Sequence, residues 1–101
     1  MKKIYIIGDM HTVSAFRLSG VEGVISGTDN APARLEEIVK KGDAGVVVIT
    51  NELAEDIQER IKEINLGSLS PVVIEIPGID DTKGLRRSVV GYIAEALGIT
   101  L

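Results

Sequence analysis

The stretch GVVVITNELAEDI, residues 45–57, passes from an apolar run directly into an amphipathic segment. The run from Gly45 to Ile49 is continuous and rich in β-branched residues, as in a strand that is covered on both faces. Thr50 or Asn51 then offers a side-chain oxygen that can cap a helix. Apolar residues follow at helical spacing, at positions Leu53, Ile57, Ile61 and Ile64. The stretch therefore predicts a buried strand that leads straight into a helix with one buried face.

Three other short apolar runs resemble the first one and are separated from it by helix-like segments. They are Ile4 to Ile7, Val21 to Ile25 and Val72 to Ile76. Asp29 or Asn30, followed by Pro32, marks the start of a second helix. Glycines at the ends of the second, third and last helices indicate exits through a left-handed conformation, at Gly42, Gly67 and Gly98. The order β-α-β-α-β-α-β-α predicts a parallel sheet with helices on both faces.

The fourth strand is predicted at an edge of the sheet. Glu75 lies inside this run and Pro71 and Pro77 bracket it, and both a charge and a proline are tolerated best in an edge strand. We therefore expect an α/β fold with a four-stranded parallel sheet of order 2-1-3-4, Rossmann-like or receiver-like. The PGIDD segment divides the chain into a globular domain, residues 1–78, and a hinge with a C-terminal helix able to detach, residues 79–101.

The composition excludes several classes of function. The 101 residues fit one domain, and 15 acidic against 11 basic residues give a net charge of −4, which does not favour nucleic acid or an anionic membrane as a partner. The chain has no cysteine, so disulfides and thiolate chemistry are excluded. No apolar run reaches about 18 residues, so we expect no direct membrane contact.

The loops at the carboxyl ends of the strands, where α/β sheets bind ligands, lack the residues of known sites. A receiver domain needs a phosphoacceptor aspartate where this chain has Thr50, and a second acid beside Asp9. The first loop has one glycine only, which does not make a phosphate-binding loop. His11 is the sole histidine and has no second ligand to share a metal with. We expect no catalytic residue, cofactor or metal, while a receiver-like signalling domain and a flavodoxin-like nucleotide-binding module stay open as alternatives.

Three longer segments carry a resemblance to a known family. They read IGDMHTVSAFRLSGV at 7–21, VVVITNELAEDI at 46–57 and SPVVIEIPG at 70–78. In order, spacing and total length they are similar to the F subunits of V-type and A-type ATPases, and the resemblance covers nearly the whole chain. It implies a component of the central rotor stalk that is not itself an enzyme.

The resemblance also implies partners and a location. Family members bind the long coiled-coil D subunit, and the pair turns inside the ring of catalytic and regulatory subunits and helps join the membrane-side rotor subunit. The family's members modulate ATP hydrolysis, and their C-terminal helix is able to extend along the shaft. This implies a cytoplasmic protein that is peripheral to the membrane. Because the sequence stops at Leu101, regulation through a longer extension is not expected.

Two apolar surfaces are larger than one sheet face needs. The first helix has apolar residues on several sides of barely two turns, so its end is expected either at a partner surface or wedged into the core. The last helix, residues 83–97, is apolar over an arc of roughly 200°. It is expected either to serve both the sheet and the D subunit or to be fully docked on the sheet. The residues predicted at the partner interface are Phe16, Arg17, Leu18, Leu85, Arg86, Val89, Val90, Ile93 and Leu97.

Overall fold

In the computed structural model of the chain, the structure describes residues 2–67 and 70–78. The predicted last helix lies outside these residues. The elements in chain order are β1 Lys3–Gly8, α1 Met10–Arg17, β2 Glu22–Ile25, α2 Ala31–Lys41, β3 Ala44–Thr50, α3 Asn51–Ala54, a 3-10 turn Glu55–Ile57, α4 Gln58–Gly67 and β4 Val72–Ile76. Within the described part, every helix is too short or too polar to cross a bilayer.

The four strands form one parallel sheet of order β2-β1-β3-β4, which confirms the predicted topology. As Glu75 indicated, β4 lies at an edge. The prediction that the strands are covered on both faces is wrong for β2, whose terminal residues Glu22 and Ile25 are exposed. The reason is its place at the other edge of the sheet, where β1 is its one neighbour among the described strands.

Helices cover both faces of the sheet, as expected for an α/β fold. On one face, Ile7, Ile49 and Val73 pack with buried residues of α2, α3 and α4. On the other face, Ile6 and Val48 pack with Val13 of α1 and with Ile76. The two sets alternate along each strand because successive side chains of a strand point to opposite faces. The sheet therefore separates α1 from the other described helices.

The helical segment after β3 differs from the single continuous helix that was predicted. Leu53, Ile61 and Ile64 are buried as the spacing indicated, but Ile57 is only half-buried. Ile57 belongs to the 3-10 turn between α3 and α4. Such a turn has about 3.0 residues per turn instead of about 3.6, so it rotates its residues away from the apolar stripe of an α-helix.

The helix ends lie where they were predicted, but the predicted capping interactions are only partly present. Asn30 and Thr50 occupy the cap positions of α2 and α3, but neither side chain makes the capping hydrogen bond. Asn30 has the helical φ of −100° and ψ of −12°, whereas side-chain capping uses an extended backbone. Gly42 ends α2 with φ of 75°, as predicted. Gly67 is the last residue of α4 and does not have a positive φ, so the predicted left-handed exit is wrong there.

Candidate functional site

The loop after β1 places an acid at the ligand-binding end of the sheet, but that acid caps a helix. Asp9 accepts hydrogen bonds from the backbone N–H of Thr12 at 3.1 Å and from its hydroxyl at 2.6 Å. Partial burial raises the pKa of the Asp9 carboxyl, and these hydrogen bonds outweigh that effect and hold the pKa below its ordinary value. The geometry confirms the capping role that the sequence favoured for Asp9.

The last residue of β3 is a packing residue where a receiver domain has its phosphoacceptor. Thr50 is buried, with 3% of its surface exposed. Its methyl group would lie 2.9 Å from a Cβ added at Gly8, so the two strand ends approach closely. His11 is exposed, and within residues 2–67 and 70–78 no three potential metal ligands come together. This end of the sheet is built for close packing between strand ends and helix starts.

The end of α1 brings together three of the predicted interface residues. Phe16 is half-buried and packs against the Ile6 side of the core. Arg17 is exposed, and its Nη2 donates a hydrogen bond of 3.3 Å to the carbonyl of Gly23 in β2. Leu18 follows α1 with 86% of its surface exposed. A cation and a large apolar side chain are therefore presented next to the β2 edge.

The sheet face that carries α1 has a second apolar area that the sequence analysis missed. Ile4, Val46 and Val72 are register neighbours across three strands. Ile4 and Val72 are 39% and 42% exposed, and Val46 is half-buried. The pattern placed these residues in covered strands. All three lie toward the amino-terminal ends of their strands, and such a position was a signal of lower burial.

The remaining predicted interface residues lie outside the described residues. They are Leu85, Arg86, Val89, Val90, Ile93 and Leu97. The described part of the chain therefore brings Phe16, Arg17 and Leu18 together, and it does not relate them to the last helix.

An ion pair between two helices lies on the opposite side of the sheet from α1. Arg60 of α4 donates from Nη2 to Glu36 of α2 at 2.8 Å. This bond lowers the pKa of the Glu36 carboxyl and raises the pKa of the Arg60 guanidinium. A cleft of about 290 Å³ beside this pair lies between Lys2 and Pro71, at the amino ends of the strands. Ligands of α/β sheets bind at the other end, so this cleft is not the expected site.

Comparison with known proteins decides between the interpretations. A family model described as "ATP synthase (F/14-kDa) subunit" matches residues 4–93. The chain belongs to this family. The match confirms the resemblance, and it favours membership of an ATP synthase over the receiver-like and flavodoxin-like alternatives.

Individual relatives agree with this family. The chain is 30% identical to the F subunit of the V-type ATP synthase of Thermus thermophilus, over 95% of the chain and 92% of the relative. It is 34% identical to the F subunit of the A-type ATP synthase of Methanothermobacter thermautotrophicus, over 73% and 71%. It is 36% identical to the F subunit of the V-type ATP synthase of Fusobacterium nucleatum, over 76% and 72%. The family thus includes relatives named for both A-type and V-type enzymes.

Proposed function

We propose that this chain is the non-catalytic F subunit of the central stalk of a V-type or A-type ATP synthase. In this role it binds the coiled-coil D subunit and couples ATP synthesis or hydrolysis to ion transport. The observation that carries the proposal is the family match over residues 4–93, with relatives named as F subunits that align nearly end to end. The proposal includes the ring of catalytic and regulatory subunits and the membrane-side rotor subunit as further partners, and a cytoplasmic position peripheral to the membrane.

A role without catalysis is supported by the chemistry at the carboxyl ends of β1 and β3. The Asp9 carboxylate is engaged by the backbone and hydroxyl of Thr12. Thr50 is packed against Gly8. An acid or nucleophile has to reach a substrate to act on it, and neither side chain is free to do so. We therefore expect that the purified chain does not hydrolyse ATP and needs no cofactor.

The end of α1 is proposed as one surface for the D subunit. Leu18 is 86% exposed, and removal of a large apolar side chain from water favours association. Arg17 beside it supplies five donors on one planar group, which suits a partner with carboxylate or carbonyl acceptors. Phe16 anchors this end of the helix in the core. A rigid base with an exposed leucine and arginine is therefore suited to a protein interface, where arginine is among the residues that contribute most.

The last helix is proposed as the second surface. The residues proposed to contact the D subunit are Leu85, Arg86, Val89, Val90, Ile93 and Leu97. The row of Ile4, Val46 and Val72 offers an apolar area on the sheet for the same helix. At about 1.5 Å per residue, a helix over residues 83–97 is about 22 Å long and can run the length of the sheet. An apolar arc of roughly 200° is wide enough to serve both the sheet and the D subunit. This proposal keeps a globular domain of residues 1–78 and a separate C-terminal unit of residues 79–101.

The experiment is a calorimetric titration of the D subunit, encoded in the same genome, into the purified chain. Leu18→Glu and Arg17→Glu are each expected to weaken binding at least about tenfold, since they place an acid in an apolar or cationic contact. Leu66→Glu is the matched control. Leu66 is 79% exposed but belongs to α4, on the other side of the sheet, so its variant should bind like the parent chain.

Four results would each contradict part of the proposal. Absence of a complex between the parent chain and D, or ATP turnover by the chain alone, would contradict the function itself. Equal affinity of the Leu18→Glu, Arg17→Glu and Leu66→Glu variants would remove the α1 end from the interface. For the last helix, hydrogen exchange over residues 83–97 should be fast in the free chain and slow in the complex, and slow exchange in both would contradict its double role.

A further inference from the structure

The free edge of β4 has a hydrogen-bonding pattern that follows from its place in the sheet. Along a strand that pairs on one side only, the backbone groups of alternate residues point toward the neighbouring strand and those of the others point away from it. Within residues 2–67 and 70–78, β4 pairs with β3 and with no other strand. The backbone N–H and C=O of Val73 both bond to a side chain outside the sheet, so Val73 faces the free edge. By the same alternation, Glu75 also faces it.

Asn65 of α4 occupies this edge at Val73 as a neighbouring strand would. Its Oδ1 accepts from the Val73 N–H at 2.7 Å, and its Nδ2 donates to the Val73 carbonyl at 3.1 Å. A carboxamide carries one acceptor and two donors in a plane, so it can return both hydrogen bonds that a peptide strand would make. One side chain thus satisfies both outward groups of this residue.

The rest of the β4 edge is short. Pro71 and Pro77 stand on either side of the strand and have no N–H to donate. Glu75 is held along the edge by Gln58, whose Nε2 donates to the Glu75 carboxylate at 3.0 Å and to the Ala54 carbonyl at 2.9 Å. Val73 and Glu75 are therefore the two outward-facing residues of β4 at which another strand could pair.

The other edge of the sheet is closed less completely. The N–H of Ser26 donates to the carbonyl of Gly8 in β1, so by alternation Gly23 faces outward. Arg17 donates to the Gly23 carbonyl at 3.3 Å, and a guanidinium has no acceptor to offer the Gly23 N–H. Asn65, by contrast, bonds to both the N–H and the carbonyl of Val73, and at shorter distances. The strand-like cap is thus a feature of β4.

We propose that Asn65 is an edge-blocking residue, and that its removal opens β4 to pairing with β4 of a second copy of this chain. In an antiparallel pair around a twofold axis, Val73 of one copy lies opposite Glu75 of the other. The two outward-facing residues of each copy then exchange four backbone hydrogen bonds. Because the two edges are identical, the twofold axis places each donor of one copy opposite an acceptor of the other. A second copy is also the partner whose concentration rises with that of the protein itself.

The test is sedimentation equilibrium of the full chain over a hundredfold range of concentration. The parent chain is expected to remain monomeric, and Asn65→Ala is expected to form a dimer or larger species with rising concentration. The double variant Asn65→Ala with Glu75→Pro is the control. It keeps the loss of the cap but removes an edge N–H at a position where an edge strand tolerates proline, so it should return to a monomer.

Two results would overturn the proposal. One is a folded Asn65→Ala variant that stays monomeric at every concentration. The other needs no variant, so it applies even if Asn65→Ala does not fold. In the parent chain the Val73 amide should exchange with solvent at least tenfold more slowly than the Glu75 amide, because Asn65 accepts from it. Equal exchange rates for these two edge amides would show that the carboxamide does not close the edge.

Discussion

Gly23 decides how closely α1 can approach the sheet, and Gly23→Ala tests that directly. A Cβ added at Gly23 would lie 2.5 Å from Cγ1 of Val13 and 2.6 Å from Nε of Arg17. Ordinary contacts of this kind begin at 3.4 Å, so the overlap with Val13 is roughly 0.9 Å. Arg17 is exposed and can move away, but Val13 is fully buried. The substitution therefore has to lift α1 from β2.

The magnitude follows from two opposing effects. Overpacking of a well-packed core costs about 1–3 kcal/mol. Replacing glycine by alanine restricts the unfolded chain, which returns about 0.4–1 kcal/mol. The first effect is larger over most of this range, so Gly23→Ala should lower the free energy of unfolding by about 1–2 kcal/mol. For a chain of this size that corresponds to a decrease in Tm of at least ~4 °C.

The assay is thermal and urea unfolding followed by circular dichroism, with Gly27→Ala as the matched control. Gly27 has no atom within 4 Å of an added Cβ, so its variant should be as stable as the parent or slightly more stable. In the Gly23→Ala background, Val13→Ala should cost less than it does alone, since it removes the clashing methyl group. If Gly23→Ala and Gly27→Ala have the same Tm, the close approach of α1 to Gly23 does not limit stability.

Three further predictions concern stability. Asp9→Ala should cost about 0.5–2 kcal/mol through loss of the α1 cap, and Asp9→Asn less, measured by urea unfolding. Because the pKa of Asp9 is lowered in the folded chain, the charge-dependent part of this stability is present above the unfolded pKa and is lost as pH falls through the folded pKa. The difference in unfolding free energy between the parent chain and Asp9→Asn should therefore shrink below about pH 4, and a constant difference would contradict this. Glu36→Gln should lower Tm slightly at neutral pH, and the difference should fade on acidification because Arg60 lowers the pKa of Glu36. Leu35→Ala, at a fully buried position, should cost about 2–5 kcal/mol, whereas Leu66→Ala, at a 79% exposed one, should stay within about 0.5 kcal/mol; equal losses in urea unfolding would refute the burial difference.

Much of the fold was predictable because it depends on local patterns. Short apolar runs separated by amphipathic segments fix a parallel α/β sheet, since parallel strands need crossover helices. Glu75, with Pro71 and Pro77 on either side of the run, indicated the edge position of β4, because a charge and a proline are tolerated best in an edge strand. Asp9 was identified as a turn or cap residue from its position directly after a strand. The family resemblance, carried by three quoted segments, was also readable from the sequence.

The candidate site was only partly predictable for a physical reason. Which helix covers which part of the sheet decides the exposure of Leu18 and of the row formed by Ile4, Val46 and Val72. No local sequence pattern encodes that coverage. Caps were predicted from Asp29 or Asn30 and from Thr50 or Asn51. Asn30 and Thr50 occupy the cap positions without making the hydrogen bond, because a side-chain cap depends on backbone angles and packing as well as on residue type.

By itself, the sequence determined the element order, the sheet order, the edge position of β4 and the family, because these depend on residue types and their spacing along the chain. Only the tertiary structure decided that Asn65 closes the edge at Val73, and that Arg17 lies over Gly23. These contacts join residues 8 and 6 positions apart on different elements. Their geometry depends on how a helix is set against the sheet, and that setting comes from core packing, which the residue pattern does not specify.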